Sequence, residues 1–183
     1  LPIWAMRFGA YIEKSLNFRH WIAIAMKNGF ARGSKLYPAH YALLYFTKSH
    51  PAYFKRPKIT PSTCRHCGAL IKDYGGYKRI IEEKGINLSD FWEDLSPVRH
   101  HNRKFREANE LPSTLFERII EISGKPGMLY VDPFAGTGSG IVAAVRAGLV
   151  FDCCDITESS CLIVRKRIDE LISSFQKGKG HAN

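Results

Sequence analysis

A carboxylate, an aromatic ring and three glycines fall together at Asp132-Pro-Phe-Ala-Gly-Thr-Gly-Ser-Gly140. A second carboxylate, Asp155, lies nineteen positions beyond Gly136. Glycines at 136, 138 and 140 let the backbone come close to a ligand without interference from Cβ. If a helix begins at the last of them, its free N–H groups face whatever anionic or polar group sits there. An acidic residue at that distance, at the end of the next strand, accepts protons from both hydroxyls of a ribose and repels a 2′-phosphate. The combination describes a site for a nucleoside-bearing cofactor.

The neighbouring segments have the patterns needed to hold such a site. Pro112 to Ile122 places Leu115, Ile119 and Ile122 on one helical face, with proline near the start. Met128 to Val131 reads as a short strand, Ile141 to Gly148 as a helix, and Val150 to Asp155 as a second strand. Ser159 to Phe175 is amphipathic, and the polar tail from Gln176 reads as lying outside that helix. Helix, strand, glycine loop, helix, strand is a βαβ unit. The glycine pattern alone fits nicotinamide, flavin and S-adenosylmethionine enzymes, while the absence of Gly-Lys-Ser/Thr excludes a P-loop. Asp132 and Phe134 discriminate further. A carboxylate here is a poor neighbour for a pyrophosphate and a good one for the amino and sulfonium groups of S-adenosylmethionine. The competing reading is that Asp132 only caps the loop.

The rest of the chain is organised differently. A helix is predicted over residues 6–19, strands at His20 to Met26 and His40 to Phe46, and a turn at Asn28-Gly29. The two strands read as antiparallel neighbours. Pro51, Pro57 and Pro61 interrupt the stretch that follows. The block up to residue 106 reads as an insertion with little regular structure. It carries Lys55, Arg56, Arg65, Lys72, Arg99 and Arg103, with Tyr53, Phe54, Tyr74 and Tyr77 interleaved. Such residues meet phosphates and stack on unpaired bases. The net charge of +10 is uneven: +6 over residues 1–54, +5 over 55–104 and −1 over 105–183. A basic first part joined to a near-neutral cofactor part suggests a polyanion-binding face. A solvated basic surface is the plainer alternative.

Cys64-x-x-Cys67-Gly is similar to one knuckle of a zinc ribbon and supplies two of the four ligands zinc takes. The alternative is a pair of ordinary loop thiols. Five cysteines without a secretory leader argue against a disulfide scaffold. No run of about 18 apolar residues is present. The chain reads as cytoplasmic and reduced.

The loop string resembles the Asp-Pro-Phe-x-Gly-Ser/Thr-Gly cofactor motif of site-specific DNA amino-methyltransferases, which modify adenine N6 or cytosine N4. Ala108-Asn-Glu-Leu-Pro112 looks like that family's segment just before the cofactor strand, with Asn109 and Glu110 departing from the commoner His-Pro-x-x-Lys-Pro. Tyr37-Pro-Ala-His-Tyr41 and Ser96-Pro-Val-Arg-His100 look like further family segments. The resemblance implies an α/β, Rossmann-like S-adenosylmethionine-dependent methyltransferase fold from restriction-modification machinery, in the permuted order that puts the cofactor part last. It implies cofactor contacts at Asn109, Glu110, Asp132, Pro133, Phe134, Gly136, Thr137, Gly138 and Asp155, and double-stranded DNA as partner. The implied organisation is a late-sheet part (1–46), a target-recognition insertion (47–106) and a cofactor part (107–183).

One family feature is absent. The catalytic Asp/Ser/Asn-Pro-Pro-aromatic motif does not occur in the sequence. Of the family's sheet order, 3-2-1-4-5-7-6, the chain supplies candidates for strands 1, 2, 6 and 7 but none for 4 and 5. The expectation is an incomplete sheet, with the catalytic motif on an N-terminal half or partner subunit and no catalytic residue in this chain.

Overall fold

The computed structural model describes residues 2–25, 33–34, 36–37, 39–72, 75–95 and 110–179. Helix α1 (Pro2–Ile12) is followed by β1 (Asn17–Ala25). The helix is shorter than the predicted 6–19. Ser15 and Leu16 both donate backbone N–H to the Ile12 carbonyl at 2.9 Å, which closes the helix in a turn. Phe18 then joins the sheet, packing edge-on against Phe46 with ring centroids 5.6 Å apart.

β1 pairs antiparallel with β2 (His40–Thr47), from Asn17 opposite Thr47 to Ala25 opposite His40, with an irregularity between Phe18 and His20. This is the pairing expected of the two aromatic-rich runs. The connecting loop, including Asn28-Gly29, lies outside the described residues except at isolated positions.

The middle block is more regular than its prolines suggest. β3 (Lys58–Ile59) pairs antiparallel with β4 (Ile86–Asn87), and α2 (Lys78–Lys84) lies between them in sequence. β5 (Phe91–Trp92) adds to the other edge of β1, in parallel. Trp92 is almost fully buried in a cluster with Ile22, Ile24, Leu95 and Leu115. The block therefore shares a core with the segments on either side of it. Its indole N–H donates to the Ser89 carbonyl at 2.8 Å, satisfying the one polar atom of the side chain.

The last third of the chain follows the predicted order: α3 (Ser113–Ser123), β6 (Leu129–Asp132), α4 (Ser139–Arg146), β7 (Val150–Cys153) and α5 (Glu158–Lys179). β6 and β7 are parallel neighbours, in register from Leu129–Val150 to Asp132–Cys153. α5 runs past Phe175, where the sequence pattern predicts its end. α4 is buried from Ser139 to Ala144. Its small residues make this possible: any Cβ at Gly140 would overlap the Tyr130 hydroxyl. Ile141 is fully buried, a contribution of roughly 1.5–3 kcal/mol for a side chain of its size.

Among the described residues, one face of the β6–β7 pair is covered by helix and the other is largely exposed. Tyr130 and Phe151 pack against the α4 cluster, whereas Leu129, Val131 and Val150 are 62%, 60% and 59% exposed. Among the described residues, no strand lies along the outer edge of β6 or of β2. No described helix is long and apolar enough to cross a membrane.

Candidate functional site

The loop between β6 and α4 begins with Asp132. Its carboxylate accepts the Phe134 backbone N–H at 3.0 Å and the Tyr130 hydroxyl at 3.1 Å. Asp132 thus caps the loop, and each oxygen retains a further lone pair for a ligand. Burial, followed by the Asp132 charge, holds the Tyr130 phenol well above the usual range, so it remains a donor. Gly136 and Gly138 have φ of +52° and +81°. At Gly138 the approach is also close: an added Cβ would stand 2.8 Å from Val164 Cγ2 on α5.

Asp155 braces the loop from β7. Its Oδ2 accepts the Gly136 N–H at 2.8 Å, and its Oδ1 accepts the Thr157 N–H at 3.0 Å and the Thr157 hydroxyl at 2.9 Å. These donors, the Thr157 backbone N–H foremost, lower its pKa to about 2. The carboxylate is therefore ionised at neutral pH. Beside it, Phe134 and Ile156 are 87% and 100% exposed, two bare apolar side chains next to the loop.

Glu110 closes the site from the segment before α3. Its Oε1 accepts from Thr137 Oγ1 at 3.2 Å, Ser139 Oγ at 3.3 Å and the Arg167 guanidinium at 3.2 Å. Its side chain is 7% exposed, and buried Oε2 has no hydrogen-bond donor among the described residues. Glu110, Ser139 and Arg167 line a cleft of about 660 Å³ together with Asp94, Leu95 and Arg118.

The structure thus brings together Glu110, Asp132, Pro133, Phe134, Gly136, Thr137, Gly138 and Asp155. Asn109 lies outside the described residues. Sequence reasoning missed Tyr130, Ser139, Ile156 and Arg167. For Arg167 a signal existed: it lies three residues after buried Val164, on the same face of α5.

The basic candidates are more scattered. Lys55 forms an ion pair with Glu121 of α3 at 2.8 Å, which raises its pKa, and its backbone N–H donates to the Ile122 carbonyl. It ties the middle block to α3. Arg56, Arg65 and Lys72 are exposed, while Arg99 and Arg103 lie outside the described residues.

Cys64 and Cys67 sit on a small hairpin in which Thr63 and Leu70 bridge, Cys64 N–H meets the Ala69 carbonyl at 2.7 Å and Gly68 N–H meets the Cys64 carbonyl at 2.9 Å. Backbone N–H groups of Cys67 and then His66 lower the Cys64 pKa. Among the described residues, no three metal-ligating side chains cluster.

Known proteins resemble most of this chain. A DNA methylase family model, of N6/N4 methyltransferases, matches residues 6–166. Type II methyltransferase M.BamHI of Bacillus amyloliquefaciens is 40% identical over 169 residues, covering 92% of this chain and 40% of that protein. The chain thus spans less than half the length of that relative.

Two solved structures share the fold. The M1.HpyAVI–SAM complex aligns with a TM-score of 0.55 at 18% identity, over 88% of this chain and 70% of the other. The PvuII DNA methyltransferase (cytosine-N4-specific) aligns with a TM-score of 0.57 at 13% identity, over 91% and 61%. A family match running through β1, β2, the middle block and the glycine loop means that the chain belongs to the N6/N4 DNA methylase family.

Proposed function

We propose that this chain is the C-terminal portion of a longer or split enzyme that transfers a methyl group from S-adenosylmethionine to adenine N6 or cytosine N4 in DNA. The observation that carries the reading is the loop from Asp132 to Ser139, braced by Asp155 on one side and Glu110 on the other. When bound, the cofactor supplies an electrophilic methyl on a sulfonium. The residues present fit it. Asp155 offers remaining lone pairs to ribose hydroxyls, Phe134 and Ile156 offer apolar walls for an adenine ring, and the orphaned oxygen of Glu110 suits a cationic group.

The division into 1–46, 47–106 and 107–183 is retained as a functional division, although Trp92 joins all three parts in one core. Exposed Arg56, Arg65 and Lys72, with Arg99 and Arg103, are proposed to meet DNA phosphates. Lys55 is a weaker candidate because its charge is engaged by Glu121.

The uncovered edges of β6 and β2 support a gap in the sheet for the polypeptide that bears the catalytic motif. A second reading, a non-catalytic module that binds cofactor and DNA, is favoured by the lack of an Asp/Ser/Asn-Pro-Pro-aromatic string.

Transfer of labelled methyl groups to DNA separates the two. The first reading expects no transfer by the chain alone and transfer once a polypeptide carrying that motif is added. Transfer by the chain alone sinks the missing-half argument, and none after addition favours the second reading. Cys64 and Cys67 remain the proposed zinc position. Zinc that survives dialysis and is lost in C64S supports it, whereas metal-free wild type ends it.

A further inference from the structure

Arg167 lies on α5, and two of its hydrogen bonds reach the loop and the segment before α3. Its Nη1 donates to the Thr137 carbonyl at 2.8 Å and to Glu110 Oε1 at 3.2 Å. Thr137 stands between Gly136 and Gly138, whose positive φ angles leave the turn without the restraint that a Cβ would impose. Arginine suits this position because one planar, permanently charged group can serve two acceptors at fixed angles.

The pair is largely desolvated, with side chains 20% and 7% exposed for Arg167 and Glu110. Among the described residues three donors converge on Glu110 Oε1, and none reaches Oε2. A buried carboxylate oxygen with no donor is costly. A ligand that brings an ammonium group relieves that cost.

We propose that Arg167 is a positioning residue for the cofactor. It fixes the Thr137 turn and holds Glu110 so that its second oxygen receives the α-ammonium at the amino-acid end of S-adenosylmethionine. This rests on the cofactor reading above. Asp155 and the apolar pair Phe134 and Ile156 serve the nucleoside end, so the two ends of one ligand are held by separate groups. Arg167 acts only on the first of them.

Two thioether ligands distinguish the ends. S-adenosylhomocysteine keeps the amino acid, and 5′-methylthioadenosine lacks it. In calorimetric titrations of the intact chain, R167M should weaken S-adenosylhomocysteine about tenfold or more, the size expected for losing a hydrogen bond to a charged group. Binding of 5′-methylthioadenosine should stay within about twofold, since none of its groups meets Glu110.

E110Q keeps the side-chain shape and should show the same split, which decides the matter if R167M does not fold. R167K should recover part of the lost affinity. Equal weakening of both ligands, or no change in either, overturns the proposal while leaving the cofactor reading intact. A wild-type chain that binds neither ligand overturns both.

Discussion

Replacing Asp155 by Asn removes the charge that accepts the Gly136 N–H and leaves one oxygen for three donors. S-adenosylhomocysteine affinity should fall about tenfold or more, read by calorimetry. The same carboxylate sets an acid limit. Its folded pKa of about 2 lies below the roughly 3.9 of an unfolded Asp. Its contribution to stability is therefore complete above about pH 4 and is lost as pH falls towards 2. An acid titration of wild type should show a step in that window that D155N lacks.

Gly138 gives a test of backbone rather than charge. Alanine there meets both the left-handed φ and Val164, so G138A should lower unfolding stability by about 2 kcal/mol in urea. The convergence of three donors on one Glu110 oxygen was not legible in the sequence. The family position of Glu110 marked it as a ligand contact, but its partners come from residues 27 to 57 positions away, which local spacing cannot reveal.

At the scale of elements, the βαβ unit from α3 to α5 was legible because each piece is strongly patterned and adjacent in sequence to its partner. Gly138 and Gly148 mark the ends of α4, and short apolar runs mark β6 and β7. The first helix was over-extended because Leu16 continues its apolar face. Sheet pairing of Phe18 with β2 outweighs that local pattern.

The middle block was read as irregular because its strands are two residues long, too short for any periodicity. Its anchor is a tertiary matter. Trp92 packs under Arg118, whose guanidinium lies 5.2 Å from the ring centre and grips Asp94 through two hydrogen bonds. W92A should cost about 3–5 kcal/mol, measured by chemical denaturation, in line with other large buried truncations.

At the scale of the whole molecule, charge and shape divide the labour. The excess positive charge lies in residues 1–104, whereas residues 105–183 are near neutral. If Arg65 and Lys72 each neutralise a phosphate, the double alanine variant should weaken DNA binding across sequences and shallow the salt slope by about two. An unchanged slope in fluorescence anisotropy would remove them from the interface. The exposed Leu129, Val131 and Val150 face also makes a prediction. A polypeptide that completes the sheet should raise the melting temperature of the chain, because burial of this face adds apolar area. Composition revealed the charge asymmetry at once, whereas the bare face follows only from knowing which strands are neighbours.

The anchoring of Trp92 bears on how such a protein could be re-engineered or diversify. A segment that plugged into the surface by its two ends could be exchanged between relatives as a cassette. Here the segment drives an indole into the common core, lends a strand to the edge of β1 and clasps α3 through Asp94. A graft that replaced residues 47–106 wholesale would pull out the keystone along with the ornament. Exchange of sequence within the segment has to be confined to stretches such as the Cys64 hairpin, with Trp92, Asp94 and Leu95 left in place.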